Sequence, residues 1–301
     1  MEDHRLKAFC LLAEMKSFSK AAEAKFITQS AMSHLIKNLE DELGIKLINR
    51  HSRTISLTPA GRVFYQHAKR ILALYREMEN DIYRIANKVK GVLYIGATPT
   101  AGIYLLPQVF YDFLKKYPEV QIELSQYCTE KILESLERGT LDIGIVEGNI
   151  RNTHLHSEEI AEDEIVVIAS DDNPLTEKDS IVPEDLITQP FIMPERGSGL
   201  REFIEAFFQT NRINPEDVRI SMIIDNPELT VQVVQSGVGI SFVSKWAVFD
   251  ALKDGTIKVL PIKNTRLSRK FYIVTLEDEP SALTVKTFKD FIRGYRFFMP
   301  F

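Results

Sequence analysis

The spacing of apolar residues changes character three times along the chain, and each change predicts a different kind of element. Over residues 4–15, Leu6, Phe9, Cys10, Leu12 and Ala13 recur as one side of a helix. Ser19 suits the N-cap of a short helix, Lys20–Lys25, in which Ala21 and Ala22 permit close packing. Phe26-Ile27 then reads as a turn and Thr28 as the N-cap of a third helix. That helix places Ala31, Met32, Leu35, Ile36, Leu39 and Leu43 on its buried face and ends at Gly44. IKLINRHSRTISLT follows with a period of two, which predicts two short strands around Arg50-His51-Ser52-Arg53. Thr58 caps the next helix, with Pro59 in its first turn, and the pattern carries it to about Lys90. After Gly91, strand-like runs such as VLYIGA, VQIELS and EIVVIAS alternate with helical segments, which predicts α/β structure with a largely parallel sheet.

The polar side of the third helix carries Gln29, Ser30, Ser33, His34 and Lys37, with Thr28 at its cap. Each can donate a hydrogen bond and none is acidic; Glu40, Asp41 and Glu42 come only after this stripe ends. Such a face suits a groove lined by phosphates and base edges. The short preceding helix and tight turn make a helix-turn-helix arrangement, and the basic hairpin reads as a wing with Arg50 and Arg53 on phosphates. On the long helix, Phe64, Ala68, Ile71, Tyr75, Met78, Ile82, Ile85 and Val89 follow a strict 4-3 spacing, which predicts a coiled-coil seam with a second copy.

Charge sharpens this picture. The net charge is −5, yet residues 1–90 carry +6 and the remainder −11, a basic module on an acidic body. Cys10 and Cys128 are far apart, outside any metal-ligand spacing, and read as free thiols of a reducing cytoplasm. There is no signal-like start and no apolar run long enough to span a membrane. A nucleophile elbow, a P-loop and a dinucleotide fingerprint are all missing, and His154 and His156 lack a third ligand in view. No catalysis, cofactor or metal is expected.

SFSKAAEAKFITQSAMSHLIKNLEDELGIKLINR followed by LTPAG resembles the winged helix-turn-helix of LysR-type transcriptional regulators over the first ~65 residues. Two positions depart from the family pattern: Ser30 stands where Pro is frequent, and His34 where Arg is common. His34 gives up a bidentate guanine reader, so the operator is not transferable. The resemblance continues more weakly through Asn173-Pro174-Leu175, Gly197-Ser198-Gly199 and SGVGISFVS. It implies a long linker helix that dimerises and two lobes of periplasmic-binding-protein type. The expected organisation is a winged helix-turn-helix at 1–58, a linker helix at 59–90 and an effector domain at 91–301. Lobe one would comprise 91–163 with 267–301, and lobe two 164–266.

In open α/β sheets, ligands sit at the carboxyl ends of strands, where helix starts offer free N–H groups. Here those places hold Thr98, Pro99 and Thr100; Cys128 and Thr129; Gly197 and Ser198; and Asn226. Arg196 and Arg201 flank the Gly-Ser-Gly turn as a potential carboxylate or sulfate clamp, and Glu147 lies at the same edge, either meeting a cationic group on the effector or pairing with one of these arginines. The expectation is an operator-binding regulator governed by a small, anionic effector (organic or inorganic), acting as a dimer or tetramer, with RNA polymerase as a further partner. The competing reading is an enzyme or solute receptor with an accessory N-terminal module.

Overall fold

In the computed structural model, residues 4–49, 55–148, 150, 154–276 and 282–297 are described. The chain divides into two compact units, Met1–Lys88 and Val89–Phe301.

The first unit contains α1 (His4–Met15), α2 (Phe18–Ala24) and α3 (Gln29–Leu43). Phe9, Leu12, Ala21, Met32, Ile36 and Leu39 are buried together and form its core. Ser17, not Ser19, caps α2 and accepts from the Lys20 amide, because the helix opens two residues earlier with Phe18 laid against the core. Phe26 adopts a left-handed φ of 56° between α2 and α3, and its side chain is 95% exposed. Thr28 caps α3 as expected, accepting from the Ala31 amide at 3.2 Å, and Gly44 ends it with φ 66°. Ala31 and Leu43 are exposed rather than buried, so the apolar face of α3 is narrower than its spacing suggests. Glu40 lies inside it with 2% of its surface accessible.

The wing pairs β1 (Ile48–Asn49) with β2 (Ser56–Leu57) in antiparallel register. Its tip, with Arg50 and Arg53, lies outside the described residues. The long helix α4 runs Pro59–Ile85, five residues short of the expected end. Two seam positions are engaged within their own unit: Phe64 packs edge-on against Phe9 at 4.9 Å between centroids, and Ala68 is buried. Val89 lies beyond the helix, after a turn in which Asn87 takes φ 50°, and packs instead into the core of the second unit.

The second unit is built on one seven-stranded mixed sheet. Its strands are β3 (Gly91–Ala97), β4 (Val120–Gln126), β5 (Ile143–Glu147), β6 (Leu155–Ser170), β9 (Ser241–Ser244), β10 (Ile257–Leu260) and β11 (Leu267–Leu276). β7 (Phe191–Met193) and β8 (Ile220–Ile223) form a separate parallel pair. Only β3–β4 and β3–β5 are parallel in the large sheet; β6 and β11 run antiparallel to every neighbour. The expectation of a largely parallel sheet is therefore corrected. β6 is 16 residues long, and its pairing with β11 passes through the crossover expected near Asp163 and Arg266. The first half of β6 pairs with β11 only, while its second half takes β9 and β10.

The helices of this unit are α5 (Leu106–Lys116), α6 (Thr129–Glu137), α7 (Gly199–Thr210), α8 (Pro227–Gln235), α9 (Phe249–Lys253) and α10 (Leu283–Arg293). A π-helical turn, Ala101–Leu105, leads into α5. Phe113, Phe271 and Phe288 centre the core of lobe one, and Phe191, Phe208 and Phe242 that of lobe two.

Candidate functional site

α3 sorts its side chains by face. Met32, Ile36 and Leu39 are buried, while Gln29, Ser30, His34 and Lys37 are exposed and Ser33 is half-buried. The Asn38 amide meets His34 Nδ1 at 3.1 Å; an amide NH2 can only donate, so the ring proton lies on Nε2. His34 thus offers one outward donor. Thr28 and Ser30 hydroxyls are 2.9 Å apart at the helix start.

Glu40 ties this helix to the wing. Its Oε1 accepts from the amides of Leu47 at 2.9 Å and Ile48 at 3.1 Å, and its Oε2 meets Lys46 Nζ at 3.1 Å. Burial opposes the charge, but the two amides and Lys46 outweigh it and hold the carboxyl below the usual glutamate range.

In the second unit the strand ends converge on a buried arginine. Arg269 on β11 stands directly across from Asp163 on β6, with Nε to Oδ2 at 2.8 Å. Its Nη1 donates to Glu147 Oε1 at the end of β5 at 3.0 Å, and Nη2 to Thr100 Oγ1 at 3.3 Å. Ser244, at the end of β9, donates to the second Asp163 oxygen at 2.6 Å, and Thr98 donates to the second Glu147 oxygen. Burial works against the guanidinium charge, yet Glu147 and Asp163 raise its pKa, so it stays protonated. These six residues join both crossing strands to elements of either lobe.

Above this network lies a cleft of about 690 Å³, lined by Pro99, Cys128, Lys131, Glu195, Asp225 and Asn226 among others. Asp225, Ile224 and Pro99 also border an inner recess of about 30 Å³, whose lining includes Thr100, Glu147, Ser198 and Ser244. The Gly-Ser-Gly turn closes one side of it. A Cβ on Gly199 would lie 2.3 Å from the Glu147 carbonyl oxygen, so only glycine allows α7 to start this close to β5.

Two family models cover the chain. The bacterial regulatory helix-turn-helix, lysR family, matches residues 4–62, and the LysR substrate binding domain matches residues 86–296. This chain is a LysR-type transcriptional regulator. It is 34% identical over 265 residues to the HTH-type transcriptional regulator CysL of Bacillus subtilis, covering 88% of each chain. Its fold matches the crystal structure of CbnR, a LysR family regulator, with TM-score 0.71 at 21% identity, over 97% of this chain and 98% of that one. The regulatory domain of CcmR from Synechocystis, in complex with 2-PG, matches with TM-score 0.62 at 26% identity, over 68% of this chain and 96% of that one. The regulator is not an enzyme, and no helix among its described residues is long and apolar enough to cross a membrane. Among the described residues no group of His, Cys, Asp and Glu could hold a metal ion.

Within the regulator's cleft, the predicted residues separate into three groups. Pro99, Thr100, Cys128, Glu147, Ser198 and Asn226 line it. Thr98 and Thr129 are buried beside it and bonded to the Glu147 carboxylate and carbonyl, while Gly197 packs against Glu130. The expected arginine clamp is not formed. Arg201, itself buried, pairs along α7 with Glu205 at 2.5 Å and donates to the Pro194 carbonyl at 3.0 Å, and Arg196 is exposed outside the lining. The partner of Glu147 is Arg269 rather than either arginine. Ser244, Arg269, Glu195, Asp225 and Lys131 escaped the sequence reading, which placed Asp163 at a crossing but gave it no part in the site. A charged pair at mid-strand, as in KFYIVT preceded by Arg269, was the available signal.

Proposed function

We propose that this LysR-type regulator reads its operator with the first three turns of α3 and answers to a small effector held between the two lobes. The carrying observation is the exposed donor face of α3, whose opposite face is buried. On this reading Gln29 and His34 meet base edges. Thr28, Ser30, Ser33 and Lys37 meet phosphates or sugar, joined by Arg50 and Arg53 of the wing. Residues 1–58, 59–90 and 91–301 are the DNA-binding, linker and effector parts, working in the cytoplasm. The CcmR domain's complex with 2-PG and its likeness to this chain support a small effector for the second unit.

Lys37→Ala is expected to weaken binding to operator and random DNA alike. It should also reduce the slope of log affinity against log salt by about 1. Fluorescence anisotropy over a salt series checks this, and an unchanged slope removes Lys37 from the phosphate contacts.

Dimerisation falls to the part of the α4 seam that its own unit leaves open. Ile71, Ile82 and Ile85 are 41%, 55% and 85% exposed, Tyr75 and Met78 are half-buried, and Leu74, outside the seam spacing, is 62% exposed. An apolar stripe of this extent on one helix matches a second copy. Ile82→Glu should weaken self-association by roughly thirty-fold, equivalent to about 2 kcal/mol, in sedimentation equilibrium. Phe64 and Ala68 substitutions should instead unfold the first unit.

Regulation then follows from geometry. An effector that binds one lobe arrangement better than another shifts the population toward it, which alters how paired wing units bend the operator.

A further inference from the structure

The charge of the cleft is not what its helix starts alone would produce. Four acidic or basic side chains border the cleft and recess: Glu147, Glu195, Asp225 and Lys131. Glu147 is answered by Arg269, and the Lys131 ammonium lies over the Tyr127 ring at 3.6 Å. Glu195 and Asp225 remain. They sit on the connections after β7 and β8 of lobe two, close enough to repel one another, and among the described residues neither forms an ion pair. Burial, then the Glu195 charge and a hydrogen bond shared with Glu195, then Glu147, push the Asp225 carboxyl up to about 7.

A second observation bears on the same recess. The Ser198 side chain lines it, with the residue only 8% exposed, and its hydroxyl makes no hydrogen bond to the α7 start it precedes or to any other described group. That hydroxyl faces a space of about 30 Å³, room for a group the size of one water molecule, and is free to bond whatever enters it. A guanidinium is too large for that space and a carboxylate would add a third negative charge beside Asp225 and Glu147. A primary ammonium fits in size, and its three donors match one carboxylate, a second carboxylate and a hydroxyl.

We propose that the effector of this regulator carries a primary ammonium group, seated in the inner recess against Asp225 and Ser198 with Glu195 completing its charge. The remainder of the effector extends into the larger cleft, past the apolar side chains of Ile224 and Leu229. This rests on the reading that the effector binds between the lobes.

The test uses the full-length chain with n-butylammonium and butyrate as matched probes at constant ionic strength, followed by thermal shift and ligand-observed NMR. Saturable stabilisation by n-butylammonium is expected, weakened at least about tenfold in Asp225→Asn, Glu195→Gln and Ser198→Ala. Glu195 is exposed, so Glu195→Gln keeps the test open if Asp225→Asn misfolds. Saturable binding of butyrate alone, lost in Ser198→Ala, overturns the ammonium while leaving the cleft as the effector site. Saturation by neither probe overturns both readings, and butylammonium binding unchanged in all three variants places it elsewhere and overturns the proposal.

Discussion

Replacing Arg269 with methionine is expected to destabilise the Val89–Phe301 unit by about 3–5 kcal/mol, the cost of leaving buried charges without their partner. The guanidinium is 4% exposed and its two carboxylates 4% and 0%, so solvent cannot stand in for it. Thr100 loses a donor as well, and Asp163 keeps only Ser244. For a unit of this size the loss corresponds to a fall in Tm of roughly 10 °C, measurable by calorimetry on the full-length chain. Arg269→Lys restores a charge but not the three-way fork, and should fall between the two. A fall in Tm of less than about 3 °C would mean that solvent reaches the carboxylates and that the network does not hold the crossover.

Glu40→Ala should cost about 2–4 kcal/mol in the first unit, since the amides of Leu47 and Ile48 are left without an acceptor. Glu40→Gln makes the sharper comparison. Both amides bond Oε1, which a glutamine oxygen reproduces, and the lost contact is with Lys46, whose side chain is 66% exposed. That exchange should therefore cost only about 1 kcal/mol or less. The native carboxyl is held below the usual glutamate range, so its extra stabilisation is present above that range and disappears as acid titrates it in the folded state. The advantage of wild type over Glu40→Gln should vanish in the same acid window, seen as converging Tm values. Because Glu40 positions the strand that opens the wing, Glu40→Ala is also expected to weaken operator binding.

The two networks behind these predictions show where reading along the chain stops. Helices and caps of the first unit were legible because helical period, Thr28 and Gly44 are local: each is settled by residues within four positions. The seam on α4 was legible as a stripe, but its division was not. Whether Phe64 and Ala68 face a partner or Phe9 depends on a contact across 55 residues of chain, and periodicity carries no such information. Val89 continued the spacing although the helix had already ended at Ile85.

The same limit governs the cleft. Thr100, Ser198 and Asn226 could be placed at helix starts because strand-then-helix order marks them. The arginine that organises the floor comes from a strand paired 106 residues away from Asp163, and no spacing rule links the two. Arg201 looked more available than Arg269 because it neighbours a glycine turn, yet its side chain pairs with Glu205.

The α3 helix, its donor face and the order of wing, long helix and α/β body follow from sequence by itself, since they rest on local period, capping and composition; the two lobes came from the family resemblance. Tertiary structure alone decided which carboxylate receives a cation. Glu147 is satisfied by an arginine 122 residues away and Glu40 by groups just past the turn that ends its helix, while Glu195 and Asp225 are left to each other in the cleft lining. Charge compensation is a property of distances in space, and in a chain folded through two crossovers those distances bear no relation to separation along the sequence.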